Sequence, residues 1–327
     1  MGTLWPEPLP LSEAEFAQFS DRLQPAFAAR LHELRIDPEP LAPALRRVYL
    51  PLAAWVARRK GEAPLVLGIN GAQGTGKSTL CEFLTLILEE GFGLRVAGFS
   101  IDDIYKTRVE RQILARSVHP LLLTRGVPGT HDVALGVDTL NRLRQARSGE
   151  TVAIPAFDKA QDDRKPEASW PQVAGPIGVI IFEGWCVGAK PQPEVALNQP
   201  INALEADEDP DGAWRRYVND RLKDEYATLF RRIDALIMLK APNMDKVFEW
   251  RGLQEEKLAA REGKAQPHRL MDAAGIRRFV EHYERITRHM LDEMPERADV
   301  TLFVDDHHQI GKIQLKLTAG PIPHAIP

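Results

Sequence analysis

Cysteine is scarce in this chain, which has only Cys81 and Cys186 among its 327 residues. Two cysteines so far apart are unlike the dense pattern of a disulfide-stapled domain and suit a reducing compartment. Long apolar runs are missing too, since none approaches the roughly 18 residues that span a bilayer. The segment 1–16 is acidic and interrupted by proline, unlike a secretory signal. These shortages predict a cytoplasmic protein with no membrane partner.

An excess of positive charge is also missing. The formal net charge is −4, from 42 basic and 46 acidic residues. A protein that binds nucleic acid nonspecifically places Lys and Arg against phosphates and usually has a basic balance, so we expect no nucleic-acid partner. The 44% hydrophobic and 27% charged fractions are ordinary for a globular protein. The length allows one large α/β domain with added helices, or two domains.

A glycine-rich segment, residues 71–78, fits the phosphate-binding pattern G-x-x-x-x-G-K-S/T at every specified position. Apolar residues 65–69 predict a buried parallel strand before it, and apolar residues at helical spacing resume at Leu80. In such a loop backbone N–H groups surround a polyphosphate, Lys77 reaches the β- and γ-phosphates and the Ser78 hydroxyl can hold Mg²⁺. The predicted nucleotide-binding residues are Gly71, Ala72, Gln73, Gly74, Thr75, Gly76, Lys77, Ser78 and Thr79.

Two other interpretations of this segment are weaker. A tight glycine turn between strand and helix would need neither the lysine nor the serine. A dinucleotide-binding G-x-G-x-x-G loop fits poorly, because the glycines stand at 71, 74 and 76 and Lys-Ser follows.

Carboxylates follow two further predicted strands. The strand at 94–99 leads into Asp102 and Asp103, and the strongly apolar strand at 177–182 leads into Glu183. Ligands in open α/β sheets bind beyond the carboxyl ends of strands, so these carboxylates should face the phosphates. One of the Asp pair is then a candidate to accept a proton from an attacking hydroxyl or to hold Mg²⁺ through water, although an acidic pair can also be a turn or a helix cap. Glu183 is a candidate to order Mg²⁺ or its bound water.

Two charged loops favour contact with a substrate over simple solvation. The first, residues 124–132, holds Arg125, His131 and Asp132, and Asp132 can cap a helix predicted at 133–147. The second, residues 155–164, follows a strand predicted at 151–154 and is rich in Asp, Lys and Arg.

The remaining segments are predicted mainly as helices. Two helices before residue 61, the second at 41–59 with a kink at Pro51, would cover the core or form a partner surface. Residues 189–212 are predicted as a flexible insertion, residues 213–232 as one helix, and residues 106–117 as an exposed helix. Further along the chain lie strands predicted at 234–239 and 300–304 and a long helix at 272–294.

The helical segment 247–261 is basic on one side. Its Arg251 and Lys257 can close over the nucleotide phosphates as a lid. The alternative is a surface helix carrying Glu–Lys pairs.

Taken together, the motifs resemble the phosphoribulokinase, uridine kinase and pantothenate kinase group of P-loop kinases. Within that group the chain is most similar to plant- and fungal-type D-glycerate 3-kinases and their bacterial kinase-like relatives, over about residues 60–305. The narrower resemblance rests on the Arg-Gly-x-Pro-Gly-Thr-His-Asp of 125–132, Pro-x-Phe-Asp-Lys of 155–159 with Asp-Arg of 163–164, Phe-Glu-Gly-Trp of 182–185, and Trp-Arg of 250–251 with Gln254 and Glu256. One departure is the short Ala-Gln-Asp-Asp between Lys159 and Arg164, where glycerate kinases tend to have a longer stretch with Ser and Gly.

The resemblance implies roles for individual residues. Asp102 would be the general base, Glu183 would support Mg²⁺ together with Ser78, and Lys77 and Arg251 would stabilise the transferred phosphoryl group. Arginine binds carboxylates through paired charge-assisted hydrogen bonds, which suits a hydroxy-acid acceptor. The acceptor site implied is Asp103, Tyr105, Arg125, His131, Asp132, Asp158, Lys159 and Arg164.

We therefore expect a three-layer α/β P-loop fold with a mainly parallel sheet. Residues 1–60 would form a helical extension packed on the core and residues 61–327 the kinase domain, with a lid at about 242–268. The expected reaction is transfer of the ATP γ-phosphoryl group, with Mg²⁺, to a hydroxyl of a small acidic metabolite, D-glycerate first, by a monomer or homodimer. The alternatives are a kinase for a nucleoside, pantothenate or another metabolite, and a nucleotide-gated ATPase or switch acting on a protein partner.

Overall fold

A computed structural model of the protein describes residues 3–262 and 271–316. The α-helices in these ranges are α1 (Glu13–Glu33), α2 (Pro38–Leu41), α3 (Leu50–Arg59), α4 (Lys77–Phe92), α5 (Arg108–Ser117), α6 (Val133–Gln145), α7 (Ala203–Glu208), α8 (Ala213–Lys223), α9 (Glu225–Phe230), α10 (Met244–Glu262) and α11 (Ala273–Glu293). The strands are β1 (Leu65–Gly71), β2 (Val96–Ser100), β3 (Thr151–Ala153), β4 (Phe157–Asp158), β5 (Asp163–Arg164), β6 (Gln172–Ala174), β7 (Val179–Gly184), β8 (Ala235–Lys240), β9 (Val300–Val304) and β10 (Ile310–Leu315).

A six-stranded sheet with the order β10-β9-β8-β1-β7-β2 forms the centre of the fold. Its strands are parallel except β10, which runs antiparallel to β9 at one edge. All seven residues of β1 are buried, as expected for an apolar strand with helices on both faces. The predicted three-layer α/β fold with a mainly parallel sheet is confirmed, and β10, which the sequence did not predict, adds the antiparallel edge.

The strand register brings the carboxyl ends of three neighbouring strands together. Ile69 of β1 lies opposite Glu183 of β7, and Glu183 lies opposite Ser100 of β2. Adjacent strands are about 4.8 Å apart, so the three segments that follow these strands begin side by side at the carboxyl ends of the strands. These segments are the glycine-rich loop, the acidic pair and the end of β7.

The first helix packs against the helix that follows the glycine-rich loop. A capping box between Ser12 and Glu15 begins α1. The ring of Phe27 from α1 lies 4.3 Å, centroid to centroid, from Phe83 of α4, and Tyr49 lies 5.2 Å from the same ring. Buried aromatic contacts therefore join the N-terminal helices to the sheet through α4.

The single helix predicted at 41–59 is wrong in detail. The structure has α2, then a π-helical turn over Leu45–Tyr49, then α3. Pro51 has no N–H to donate to the carbonyl of Arg47, which instead accepts from the N–H of Leu4 at 3.0 Å and the hydroxyl of Thr3 at 3.1 Å. The proline therefore changes the helical hydrogen-bond pattern and frees a carbonyl that anchors the N-terminal segment.

The prediction of a flexible insertion at 189–212 is also wrong. This segment contains α7 and buries two carboxylates, Glu205 and Asp209. Arg285 of α11 bonds both carboxylate oxygens of Glu205, at 2.7 and 2.6 Å, and Arg215 of α8 bonds Asp209 at 2.9 Å. Arginines of two later helices therefore pair with the buried acidic groups of this segment.

One further helix prediction is wrong, and two other segments have features that the sequence did not predict. The helix predicted at 213–232 is two helices, α8 and α9, broken at Asp224. The strand predicted at 151–154 pairs only with β6 in a separate two-stranded sheet and does not join the central one. The helix predicted at 106–117 is largely exposed, as expected, but it buries Arg111, which is 1% exposed. Among residues 3–262 and 271–316, no helix is long and apolar enough to cross a membrane.

Candidate active site

The glycine-rich loop has the backbone shape that its glycines allow. Gly74 and Gly76 have φ angles of 83° and 91°, in the left-handed region, and Gly76 is the residue from which α4 begins. The Lys77 ammonium donates to the carbonyl of Ala72 at 3.2 Å, and the Thr75 hydroxyl donates to the same oxygen at 2.8 Å. The first N–H groups of α4 and the Lys77 charge therefore lie together, which is an arrangement that binds phosphate.

Helix α10 lies directly over this loop. A Cβ atom at Gly74 would stand 2.6 Å from Cβ of Trp250, a buried side chain of α10. The next residue, Arg251, forms an ion pair with Glu255 at 2.7 Å and stacks over the ring of Phe279 at 4.8 Å. The helix expected to be a lid thus contacts the phosphate loop, and its arginine already has an acidic partner. The side chain of Lys257 lies outside the described residues.

Asp102 lies in the 3₁₀ turn Ile101–Ile104 that follows β2. Its two oxygens accept different donors: the Tyr105 hydroxyl at 2.7 Å on Oδ1 and the Lys159 ammonium at 2.7 Å on Oδ2. Burial favours a higher pKa for this carboxyl, but the Lys159 charge and the two hydrogen bonds outweigh it and leave the pKa of Asp102 below its usual value. Asp102 is therefore ionised at neutral pH, as a general base must be.

Asp103 has a different role in the same turn. Its carboxylate accepts the backbone N–H of Ser100 at 2.9 Å, while the Ser100 hydroxyl accepts the N–H of Asp102 at 3.2 Å. Burial raises the pKa of Asp103. The strand-end position alone left the pair open, and geometry distinguishes its members: Asp103 closes the turn, and Asp102 is the carboxylate that contacts Tyr105 and Lys159.

Glu183 lies at the end of β7, beside both the loop and the Asp102 turn. Its side chain is half-buried, and no donor in the described part of the chain bonds its carboxylate. Ser78 is exposed at the start of α4. Magnesium at phosphoryl-transfer sites takes one or two protein oxygens and fills its other positions with water and phosphate oxygens, so these two side chains fit that ion.

Ion pairs hold the arginines of the two charged loops. Arg125 pairs with Asp162 and stacks over Phe157 at 5.5 Å. The Asp162 carboxylate also forms an ion pair with the buried guanidinium of Arg111 at 3.0 Å. The second loop is thus joined to the first and to α5 through one carboxylate that lies between two arginines.

Arg164 and Asp132 make a second connection between the loops. Arg164 bonds Oδ2 of Asp132 at 3.1 Å and the carbonyl of Tyr105 at 2.9 Å. The other oxygen of Asp132 accepts the N–H of Leu135 at 3.0 Å, so Asp132 also caps α6, as the sequence predicts. Asp158 shapes the turn that contains Lys159, where its Oδ1 accepts the N–H groups of Ala160 and Gln161.

His131 is fully buried and stacks on Tyr105, with ring centroids 4.5 Å apart. Its Nδ1 is hydrogen-bonded to the hydroxyl of Tyr226 on α9. Burial lowers the pKa of His131 to about 3, so the imidazole is neutral. The sequence suggested an imidazole that contacts an acceptor molecule, whereas the structure packs it against Tyr105 with no exposed surface.

Two aromatic residues of the site were not predicted. Tyr226 contacts His131, and Tyr283 of α11 donates its hydroxyl to the carbonyl of Arg125 at 3.1 Å while packing edge-on against Trp185 at 4.8 Å. Both residues lie in helices with ordinary amphipathic patterns, far along the chain from the residues that they contact. No local motif marks them.

Known proteins resemble this chain over most of its length, although no protein-family model matches it. The kinase mug58 of Schizosaccharomyces pombe, described as uncharacterized, is 36% identical over 234 residues, which are 67% of this chain and 78% of that protein. The chloroplastic D-glycerate 3-kinase of Arabidopsis thaliana is 31% identical over 255 residues, which are 72% of this chain and 53% of that protein. A solved structure, the D-glycerate 3-kinase of Cryptococcus neoformans, is 26% identical with a TM-score of 0.69, and the match covers 82% of this chain and 98% of that one.

Proposed function

The chain belongs to the family of P-loop kinases that includes D-glycerate 3-kinase, and we propose that it transfers the γ-phosphoryl group of ATP to a hydroxyl of D-glycerate. Membership of this family makes it a phosphotransferase that acts on a hydroxyl group. The identity of the acceptor and the roles of individual residues are the proposal. The observation that carries it is an ionised carboxylate, Asp102, that follows a strand at the same end of the sheet as the phosphate loop and is paired with the Lys159 ammonium.

Positive charge on the exposed side of the site favours a carboxylate-bearing acceptor. Lys159 is 63% exposed and Arg125 30% exposed, whereas the nearby rings of Tyr105, Phe157 and Tyr283 are all less than 9% exposed. A nucleoside would need an exposed aromatic face on which to stack its base. A small hydroxy acid needs cationic donors, and these are the groups presented.

Asp102 supplies the base in the proposed reaction. The acceptor hydroxyl gives its proton to an Asp102 oxygen as its own oxygen bonds to the γ-phosphorus, and the bond between that phosphorus and the bridging oxygen breaks to release ADP. Lys159 covers Oδ2 of Asp102, and its long exposed side chain can turn to the acceptor carboxylate. That exchange would uncover the base only when an acidic acceptor is bound.

The phosphate side of the reaction uses Lys77, Arg251, Ser78 and Glu183. Lys77 and the N–H groups at the start of α4 would bind the β- and γ-phosphates. Once ATP is bound, Arg251 would exchange its ion pair with Glu255 for charge-assisted hydrogen bonds to the transferred phosphoryl group. Ser78 and Glu183 would hold Mg²⁺, whose chemistry here is to neutralise and orient the phosphates.

The experiment that tests this proposal measures ADP release from Mg·ATP with D-glycerate, L-glycerate, pantothenate and uridine as acceptors. We expect release with D-glycerate, loss of release in Lys77→Ala, and a raised Mg²⁺ requirement in Glu183→Gln. Circular dichroism and thermal melting of the variants show whether they fold. Release with uridine or pantothenate but not glycerate would overturn the acceptor assignment. Hydrolysis indifferent to every small acceptor but stimulated by a protein would instead favour a nucleotide-gated switch.

A further inference from the structure

We propose that Tyr226 is a positioning residue for phosphoryl transfer: its hydroxyl fixes the tautomer and ring orientation of His131, and His131 in turn holds Tyr105 on Asp102. The inference concerns the same site and rests on the proposed role of Asp102 as the base. It is carried by contacts that connect α9 to the turn after β2, through residues of the first charged loop.

The tautomer of His131 follows from the donors around the Tyr226 oxygen. The backbone N–H of Gly129 donates to that oxygen at 3.0 Å, which occupies one acceptor position. The phenolic proton is then directed at Nδ1 of His131, because no other acceptor in residues 3–262 or 271–316 bonds this hydroxyl. Nδ1 accepts, so the proton of the neutral imidazole is on Nε2.

The opposite tautomer would leave more buried groups without partners. With a proton on Nδ1, the Tyr226 hydroxyl would receive two donors and its own proton would have no acceptor, and the Nε2 lone pair would be unpaired as well. With the proton on Nε2, that N–H is the one group of this set without a partner in the described structure. Buried unpaired polar groups are costly, so the Nε2–H form is favoured.

His131 restrains the position of Tyr105 through two contacts. An isolated antiparallel bridge joins the backbones of Tyr105 and His131, and their rings stack at 4.5 Å with planes 19° apart. Tyr105 then has little freedom, being 3% exposed with Phe157 edge-on at 5.2 Å. Its hydroxyl donates to Oδ1 of Asp102, which fixes one carboxylate oxygen and leaves the other to act.

A substitution that removes only the hydroxyl group tests this chain of contacts. In Tyr226→Phe, Nδ1 of His131 loses its donor and both neutral tautomers become accessible. We expect kcat to fall by about tenfold, a small part of the roughly 10²- to 10⁴-fold that a positioned base supplies. The acid limb of the kcat/KM profile should move to higher pH by roughly half a unit, because a less well-placed Tyr105 stabilises ionised Asp102 less.

Two measurements separate positioning from simple structural support. Nitrogen-15 NMR of the imidazole reports the tautomer directly and requires no acceptor, so it stays decisive even if D-glycerate is not the substrate. A double-mutant cycle adds Tyr105→Phe: once that hydroxyl is gone, Tyr226→Phe should move the acid limb no further. Tyr217→Phe is the matched control, since this half-buried tyrosine of α8 also adjoins Gly129 but has no hydroxyl hydrogen bond within the described ranges.

The proposal is supported by an Nε2–H imidazole in the wild type, a mixture in Tyr226→Phe, and a non-additive shift of the acid limb. It is overturned if His131 has its proton on Nδ1, or if Tyr226→Phe leaves the tautomer unchanged. It is also overturned if the acid limb moves equally in the presence and absence of the Tyr105 hydroxyl. A fall in melting temperature with an unchanged acid limb would show that Tyr226 only supports the fold.

Discussion

Replacing Lys159 by methionine should expose how strongly this side chain controls Asp102. Lys159 stabilises the ionised carboxylate, so its removal raises the pKa of Asp102 and moves the acid limb of kcat/KM to higher pH. In this ion pair the Lys159 side chain is 63% exposed and the Asp102 side chain 28% exposed. Ion pairs that are open to solvent in this way have interaction free energies of only about 0.2–1 kcal/mol. At about 1.4 kcal/mol per pKa unit, the expected shift is roughly 0.2–0.7 unit.

The same substitution should weaken acceptor binding by more than it moves the pH profile. A hydrogen bond to a charged group contributes about 1.5–3 kcal/mol, so KM for D-glycerate should rise about ten- to hundredfold while KM for ATP stays nearly unchanged. Steady-state kinetics from pH 4 to 8 measures both effects, with Lys165→Met as the control. Lys165 is exposed and has no ion pair within the described residues. An acid limb that moves to lower pH, or an acceptor KM equal to that of the control, would refute the reasoning.

Three further substitutions test the loop, a buried ion pair and a buried imidazole. Gly74→Ala should weaken ATP binding in titration calorimetry and destabilise the fold by about 1–3 kcal/mol. The reason is that the new Cβ would lie 2.6 Å from Trp250 on a backbone with a φ of 83°. Gly61→Ala is the control and should do neither, because the space around Gly61 is open. Arg285→Met should cost about 3–5 kcal/mol in urea unfolding, since it leaves a fully buried carboxylate unpaired. Burial lowers the pKa of His131 to about 3, so on acidification the imidazole is protonated in the unfolded chain before it is protonated in the folded protein. The free energy of unfolding therefore falls as the pH drops from 6.5 towards 3. His131→Asn should remove about 2 kcal/mol of the wild-type difference in this free energy between pH 7 and 5.

The sequence identified the parts of this site whose residues are contiguous. The loop at 71–78 depends on neighbouring residues, so its pattern, strand and helix can all be read locally. Asp102 and Glu183 were predicted as site residues because each follows an apolar strand, and the parallel register brings the ends of these strands together. Such predictions need only the chain direction and the geometry of a parallel sheet.

The contacts that give these residues their properties could not be read in the same way. Lys159 reaches Asp102 across 57 residues, and Tyr226 reaches His131 across 95. The segment 189–212 was predicted to be flexible because it is rich in Pro and acidic residues, whereas the arginine that pairs with Glu205, Arg285, lies 80 residues further along the chain. Pairing at this distance depends on how the helices pack, which composition and periodicity do not specify.

The most direct test of the central claim is identification of the product formed from ATP and D-glycerate. Phosphorus-31 NMR of a reaction with Mg²⁺ should show phosphoglycerate and ADP in equal amounts with the wild-type protein. Asp102→Asn should bind ATP in titration calorimetry and yield no phosphoglycerate, because the proton acceptor is gone. Phosphoglycerate formed equally well by Asp102→Asn, or none formed by the folded, ATP-binding wild type, would contradict the account.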